Sequence, residues 1–393
     1  MPVSDKVRRF VERGGWIRQM FEAGIALKAQ YGEENVFDLS LGNPVVEPPD
    51  EFHQELRRLA ENPIKGMHRY MPNNGYVETR QAVADGLTAE TGLSFSAGDI
   101  LMTCGAAAAL NVTLKTILNP GDQVIVLAPY FVEYGYYVDN HAGETVVVHT
   151  TDDFQPDLNA VESAITSRTR GVIVNSPNNP SGVIYPVDTL RQLGEILERK
   201  QSELGTEIFL ISDEPYRRII YDGQTYAQVF PHYENTIVVN SHAKDLALPG
   251  ERIGYVAINP AYPHKGELAD GLAFCNRTLG FVNAPALMQH VVRALQGVTV
   301  DVADYQRKRD FLYTQLTEMG YELVKPQGAF YLFPKAPGGD DLAFVGALQE
   351  SNVLTVPGRG FGSPGYFRIS YCLEDSVLEG ALDGLGKAIE RFG

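Results

Sequence analysis

Seven short apolar runs set the terms on which this chain folds: ILMT at 100–103, VIVL at 124–127, TVVVH at 145–149, GVIVN at 171–175, EIFLIS at 207–212, TIVVN at 236–240 and IGYVAI at 253–258. Each is of strand length. Their near-continuous apolar character, rather than an alternation, is what a sheet buried on both faces requires. Helix-length segments between several of them supply the covering layers, so residues 50–285 are expected to form a large α/β domain around one mostly parallel, seven-stranded sheet. Beyond about residue 286 the pattern changes. Long helical stretches at roughly 286–318 and 375–391 surround short strands near 321–324, 329–333, 353–355 and 366–371, which predicts a smaller α+β domain over 286–393. Residues 1–49 read as an arm that joins it, a helical lead-in followed by VFDLSLGNPVVEPP, whose prolines stop regular structure.

Charge narrows the classes of partner. With 33 Lys and Arg against 49 Asp and Glu, the net charge of −16 sets up a field that repels nucleic acid and anionic membrane surfaces. Neither is expected as a partner, and any bound anion needs a local cluster of cations. Cys104, Cys275 and Cys372 are too scattered for a disulfide framework and suit a reducing compartment. The N-terminal MPVSDKVRRFVERGG lacks an apolar segment and no run of about 18 apolar residues is found, so a cytoplasmic location is expected. The eight histidines form no ligand spacing of the H-x-x-x-H kind, and no metal is expected.

Four windows carry chemistry. In SHAKDLALPGERIG at 241–254, Lys244 stands just past a strand, with Ser241 three residues before it and Arg252 eight after. A lysine at the exit of a buried sheet loses solvation and lowers its pKa, as a nucleophilic amine needs, and the hydroxyl and guanidinium suit a phosphate beside it. NSPNNPSG at 175–182 is a rigid turn after a strand, and SDEPY at 212–216 places an acid and a phenol at the end of the next. In open α/β sheets ligands collect outside the carboxyl ends of the strands. TCGAAAAL at 103–110 adds a strand-to-helix turn whose small residues leave backbone N–H groups open to an anion. Taken singly, each has an ordinary structural reading: a surface lysine, a turn asparagine, a helix cap, a tightly packed helix start. His242 is read as structural, because a strand continuing past Ser241 would turn its side chain the other way.

Together the S-x-A-K-x4-P-G-x-R-x-G window, the N-x-P-N-N-P-[ST]-G turn and the D-E-x-Y run resemble the class I/II aminotransferases, enzymes of fold type I that use pyridoxal 5′-phosphate (PLP) and of which aspartate aminotransferase is the type member. The resemblance covers nearly the whole chain. It implies that Lys244 forms the internal aldimine with PLP and moves a proton between the substrate Cα and the cofactor, while Asp213 faces the pyridine nitrogen and keeps it protonated. It further implies Asn179 and Tyr216 at the ring's phenolic oxygen and Phe131 on the ring face. The phosphate falls to the backbone of Gly105, Ala106 and Ala107 with Ser241 and Arg252. Tyr70, in RYMPNNG at 69–75, would reach the phosphate of a neighbouring subunit, which implies a homodimer with shared active sites. Arg368, in YFRIS, would grip the substrate α-carboxylate with help from Gly42 and Asn179.

The implied reaction is ping-pong transfer of an amino group from an L-amino acid to a 2-oxo acid such as 2-oxoglutarate, with aspartate- or glutamate-type substrates favoured. A distal carboxylate asks for another cation. Some aspartate-preferring relatives carry a lysine where this chain has Ala107, leaving Arg18 in the arm or Arg277 near the expected subunit contact as replacements. Two other functions compete: a PLP-dependent C–S β-lyase or another fold type I reaction, and a non-catalytic ligand-sensing regulator. For the latter, an arm of about 48 residues has no room for a DNA-reading module with a basic recognition helix.

Overall fold

The computed structural model describes residues 2–13 and 16–393, apart from the side chains at 12, 13, 16–19 and 21. Strand β1 (Phe37–Asp38) lies in the arm. The next seven, β2 (Ile100–Thr103), β3 (Gln123–Ala128), β4 (Glu144–His149), β5 (Thr169–Asn175), β6 (Phe209–Asp213), β7 (Thr236–Ser241) and β8 (Gly254–Ile258), are the seven expected runs. They hydrogen-bond into one sheet of order β2-β8-β7-β6-β5-β3-β4, in which β8 alone runs antiparallel to its two neighbours.

The alternation of strand side chains explains the continuous apolar runs. Ile125, Leu127, Val172 and Val238 pack into the core on one face, while Val124, Val126, Ile173 and Val239 pack into a second core on the other. Burying each such side chain contributes about 1.5–3 kcal/mol, so both faces need covering. Helix Gly105–Ile117 covers the second face, and helix Val187–Leu204 covers the first through Leu190, Leu193 and Leu197. Strand β4 is as apolar as the others but forms a sheet edge, and its Val147 is exposed.

The smaller unit has its own core, built around Phe330, Phe344, Phe367 and Leu385. Its strands are β9 (Tyr331–Leu332), β10 (Val353–Leu354), β11 (Val356–Pro357) and β12 (Phe367–Ser370). The arm joins it, as β1 pairs in parallel with β10. Two details differ from the sequence reading. The helical stretch 286–318 is two helices, Ala286–Ala294 and Val302–Met319, and Met288, Val291 and Val292 of the first belong to the core of the large sheet. Residues 321–324 form no strand: the bond from the Lys335 N–H to the Glu322 carbonyl at 2.9 Å is isolated and does not extend into a ladder. The buried Arg309 ties the two units, pairing with Asp222 at 2.8 Å while its guanidinium lies over the Tyr221 ring.

Candidate active site

Strands β5, β6 and β7 end side by side, and the segments leaving those ends meet at one cavity. Its lining includes Ala106, Ala107, Phe131, Asn179, Asp213 and Tyr216, together with Ser241, Lys244 and Arg252. Sequence windows as far apart as 103–110 and 241–254 are thereby gathered at the carboxyl ends of the parallel strands.

Ser241 ends β7 and caps the short helix His242–Asp245 by accepting a bond from the Ala243 N–H at 3.2 Å. Lys244 on that helix points back into the cavity. Its Nζ donates to the Gly42 carbonyl at 2.7 Å and lies 5.4 Å from the centre of the Phe330 ring. Burial, opposed by Cys372 and reinforced by Arg368 and Arg252, lowers the amine's pKa to about 8. Because the helix starts at 242, the premise that set His242 aside fails: no strand continues there. His242 is nevertheless not in the cavity lining, and its Nδ1 lies 3.5 Å from Asp245.

Asp213 ends β6. Its Oδ2 accepts from the Tyr134 hydroxyl at 2.6 Å, whereas Oδ1 is buried with no hydrogen-bond partner among the described residues. Burial, opposed by the Tyr134 bond and increased by Glu214, raises the carboxyl to about 7. A buried carboxylate with an orphaned oxygen calls for a donor or cation from outside the chain. A protonated pyridine nitrogen meets that requirement, so the residues present fit PLP. Asn175 holds the arrangement together, donating to the Asp213 carbonyl at 2.8 Å and accepting from the Asn179 N–H at 2.7 Å.

At the far side, helix Gly105–Ile117 begins with Gly105 at φ 79°, and its first N–H groups have no helical acceptors of their own. A Cβ on Gly105 would lie 2.9 Å from Arg252 Nη2, so only glycine lets the guanidinium sit this close. Arg252 donates to the Pro249 carbonyl at 2.9 Å. Arg368, 2 % exposed, is not itself in the lining but stands behind Asn179, donating to Asn179 Oδ1 at 3.0 Å and to the Ser40 carbonyl at 2.6 Å. It has no acidic partner among the described residues. Burial lowers its pKa, as expected of a cation lacking a counter-ion.

Tyr70 is not brought to the cavity: it is 92 % exposed. Arg277 is absent from the lining and stacks over the exposed Phe274 at 5.4 Å. The Arg18 side chain lies outside the described residues. Sequence reasoning missed Tyr134, Tyr137 and Tyr331. The first two were legible: Phe131, Tyr134 and Tyr137 recur every third residue, and Phe131 and Tyr137 line the cavity while Tyr134 bonds Asp213. Tyr331, which bonds Tyr216 hydroxyl to hydroxyl at 3.0 Å, arrives from the smaller unit and left no local signal.

Comparison with known proteins agrees with this geometry. Residues 34–385 match the family model described as aminotransferase class I and II. A probable aspartate/prephenate aminotransferase of Thermus aquaticus is 34 % identical over 90 % of this chain and 91 % of its own length. Among solved structures, an aminotransferase of Eubacterium rectale superposes with a TM-score of 0.96 at 40 % identity over the whole of both chains. The aspartate aminotransferase of Thermus thermophilus, solved with maleate, superposes with a TM-score of 0.85 at 30 % identity over 99 % of this chain and 100 % of that one.

Proposed function

The chain belongs to the class I and II aminotransferases, and from that membership we propose that it moves the amino group of an aspartate- or glutamate-type L-amino acid to a 2-oxo acid, 2-oxoglutarate foremost, in a ping-pong cycle. It is a PLP-dependent aminotransferase of the aspartate aminotransferase type with the fold type I architecture. One observation carries the detailed reading: Asp213, Lys244 and Arg252 line a single cavity that Arg368 reaches through Asn179.

When bound, PLP supplies an electron sink for the pair left on the substrate Cα. The chain's own residues do the rest. Lys244 Nζ, with a pKa near 8, is neutral in a useful fraction of molecules at neutral pH and serves as the nucleophile and the carrier of the Cα proton. Asp213 holds a proton on the ring nitrogen by its charge, and Tyr134 fixes the carboxylate's orientation. Gly105, Ala106 and Ala107 offer backbone N–H groups, and Ser241 and Arg252 side-chain donors, to the phosphate. Asn179 and Tyr216 would hold the ring oxygen by hydrogen bonds, and Phe131 would cover the ring. Arg368 takes the α-carboxylate, with Gly42 beside it, and so orients the Cα–H bond for removal.

Arg18 is proposed as the contact of a distal carboxylate, since Ala107 adds no cation to the cavity. Arg277 is the alternative. We further assign a cytoplasmic homodimer in which Tyr70 serves the neighbouring site. Support comes from its loop, pinned by bonds from Asn276 to the Asn73 carbonyl and from Asn283 to the Pro72 carbonyl, both 2.9 Å, which hold Tyr70 outward.

The test is a titration of the PLP-loaded protein with single amino acids, no oxo acid present. Loss of the visible band with aspartate or glutamate, and its return on adding 2-oxoglutarate, is the expected result. Persistence of the band while pyruvate and ammonia accumulate from cysteine would establish β-elimination instead. Arg18→Ala should raise KM for aspartate or glutamate far more than for alanine, and equal changes would remove Arg18 from the account.

A further inference from the structure

The buried Arg368 guanidinium is held between two aromatic rings, with Tyr331 at 4.6 Å and Phe361 at 4.8 Å from ring centre to Cζ. Tyr331 belongs to the core of the smaller unit and Phe361 to that of the large sheet, and the Phe361 carbonyl accepts from the Tyr130 N–H at 3.0 Å, next to Phe131 of the cavity. The Tyr331 hydroxyl is tightly enclosed. A Cβ added to Gly42 would lie 1.9 Å from it, and its one hydrogen-bond partner among the described residues is the Tyr216 hydroxyl at 3.0 Å.

Two hydroxyls sharing one bond leave one proton over. If Tyr216 donated, the Tyr331 proton would be buried with no acceptor among the described residues. If Tyr331 donates, the spare proton belongs to Tyr216, which borders the cavity and can present it to a ligand there. Acidity runs the same way: burial pushes Tyr331 up to about 12, with Arg368 opposing, whereas burial and then Tyr331 itself raise Tyr216 further.

We propose that Tyr331 is a positioning residue that sets the Arg368 guanidinium with its ring and, by donating its own hydroxyl proton to Tyr216, aims the Tyr216 proton at the PLP ring oxygen. This rests on the reading of Tyr216 given above. Tyr331 thereby joins the carboxylate site to the cofactor site by a route separate from the Arg368–Asn179 bond. A donor to the ring oxygen favours its anionic form, so losing the donor raises the pH at which bound PLP changes its visible absorption.

The experiment measures that pH midpoint, without substrate, in the PLP-loaded wild type, Tyr216→Phe, Tyr331→Phe and the double variant. Tyr216→Phe should raise it by about one unit, Tyr331→Phe by roughly half a unit, and the double variant no further than Tyr216→Phe alone. A shift in Tyr216→Phe with none in Tyr331→Phe overturns the relay and leaves the Tyr216 assignment standing. No shift in either overturns both. Tyr331→Leu, compared with Tyr331→Phe, tests the ring: the amino-acid concentration for half-conversion should rise about tenfold in Tyr331→Leu and no more than about twofold in Tyr331→Phe. Equal values would show that the ring does not set Arg368.

Discussion

Arg252 lines the cavity and Arg368 reaches it through Asn179, and both are held by neutral oxygens rather than by acids. Arg252 bonds the Pro249 carbonyl, Arg368 the Ser40 carbonyl and the Asn179 amide oxygen. Each therefore keeps its charge available for a ligand. They differ in surroundings. Arg252 is exposed and stands beside a helix N-terminus that supplies its own donors, while Arg368 is buried between two rings. On the proposed reading, an anion at the Arg252 end would be held by many weak groups, and one at the Arg368 end by a single strong one. In a chain of net charge −16, both arrangements make a local positive site against an unfavourable overall field.

Removing the group between the two ends sharpens this contrast most. Lys244→Ala should lower transamination by on the order of 10³-fold or more while PLP and carboxylate ligands still bind, as read by single-turnover absorbance and equilibrium dialysis. Asp213→Asn should lower turnover by about 10²-fold with a smaller effect on PLP binding, because it weakens the electron sink rather than either anion site. The same variant carries a pH signature. In the PLP-free protein the folded Asp213 keeps its proton up to about pH 7, while the unfolded chain releases it near 3.8. Between those values folding takes up a proton, so stability falls as pH rises, by about 1.4 kcal/mol per unit. Urea unfolding of PLP-free Asp213→Asn should lack that slope. The smallest effect is expected from Gly105→Ala, whose methyl would crowd Arg252 at 2.9 Å in a left-handed backbone. The PLP Kd should rise about fivefold with the amino-acid half-conversion concentration unchanged.

Legibility in the sequence depended on whether a signal was local. The strands were readable because burial on both faces leaves an unbroken apolar run, and Lys244, Asp213 and Asn179 because each lies within a few residues of a strand end. Among the seven, the apolar run misled at β4, an edge strand left partly exposed, whereas the other edge, β2, is buried. Helices 286–294 and 302–319 were merged because both are amphipathic and the break, QGVTVD, carries a single glycine. Tyr331 and Phe361 could not be found: the smaller unit's core places one on Arg368 and the core of the large sheet the other, contacts no spacing in the chain announces.

The division of labour between the two arginines is tested most directly by measuring, in one titration series, the PLP Kd and the amino-acid half-conversion concentration for Arg252→Ala and Arg368→Ala. Arg252→Ala should raise the PLP Kd about tenfold and leave the amino-acid value nearly unchanged. Arg368→Ala should leave PLP binding nearly unchanged and raise the amino-acid value by roughly 10²-fold. Both variants moving the same quantity, or Arg368→Ala weakening PLP binding as much as Arg252→Ala does, would contradict the account.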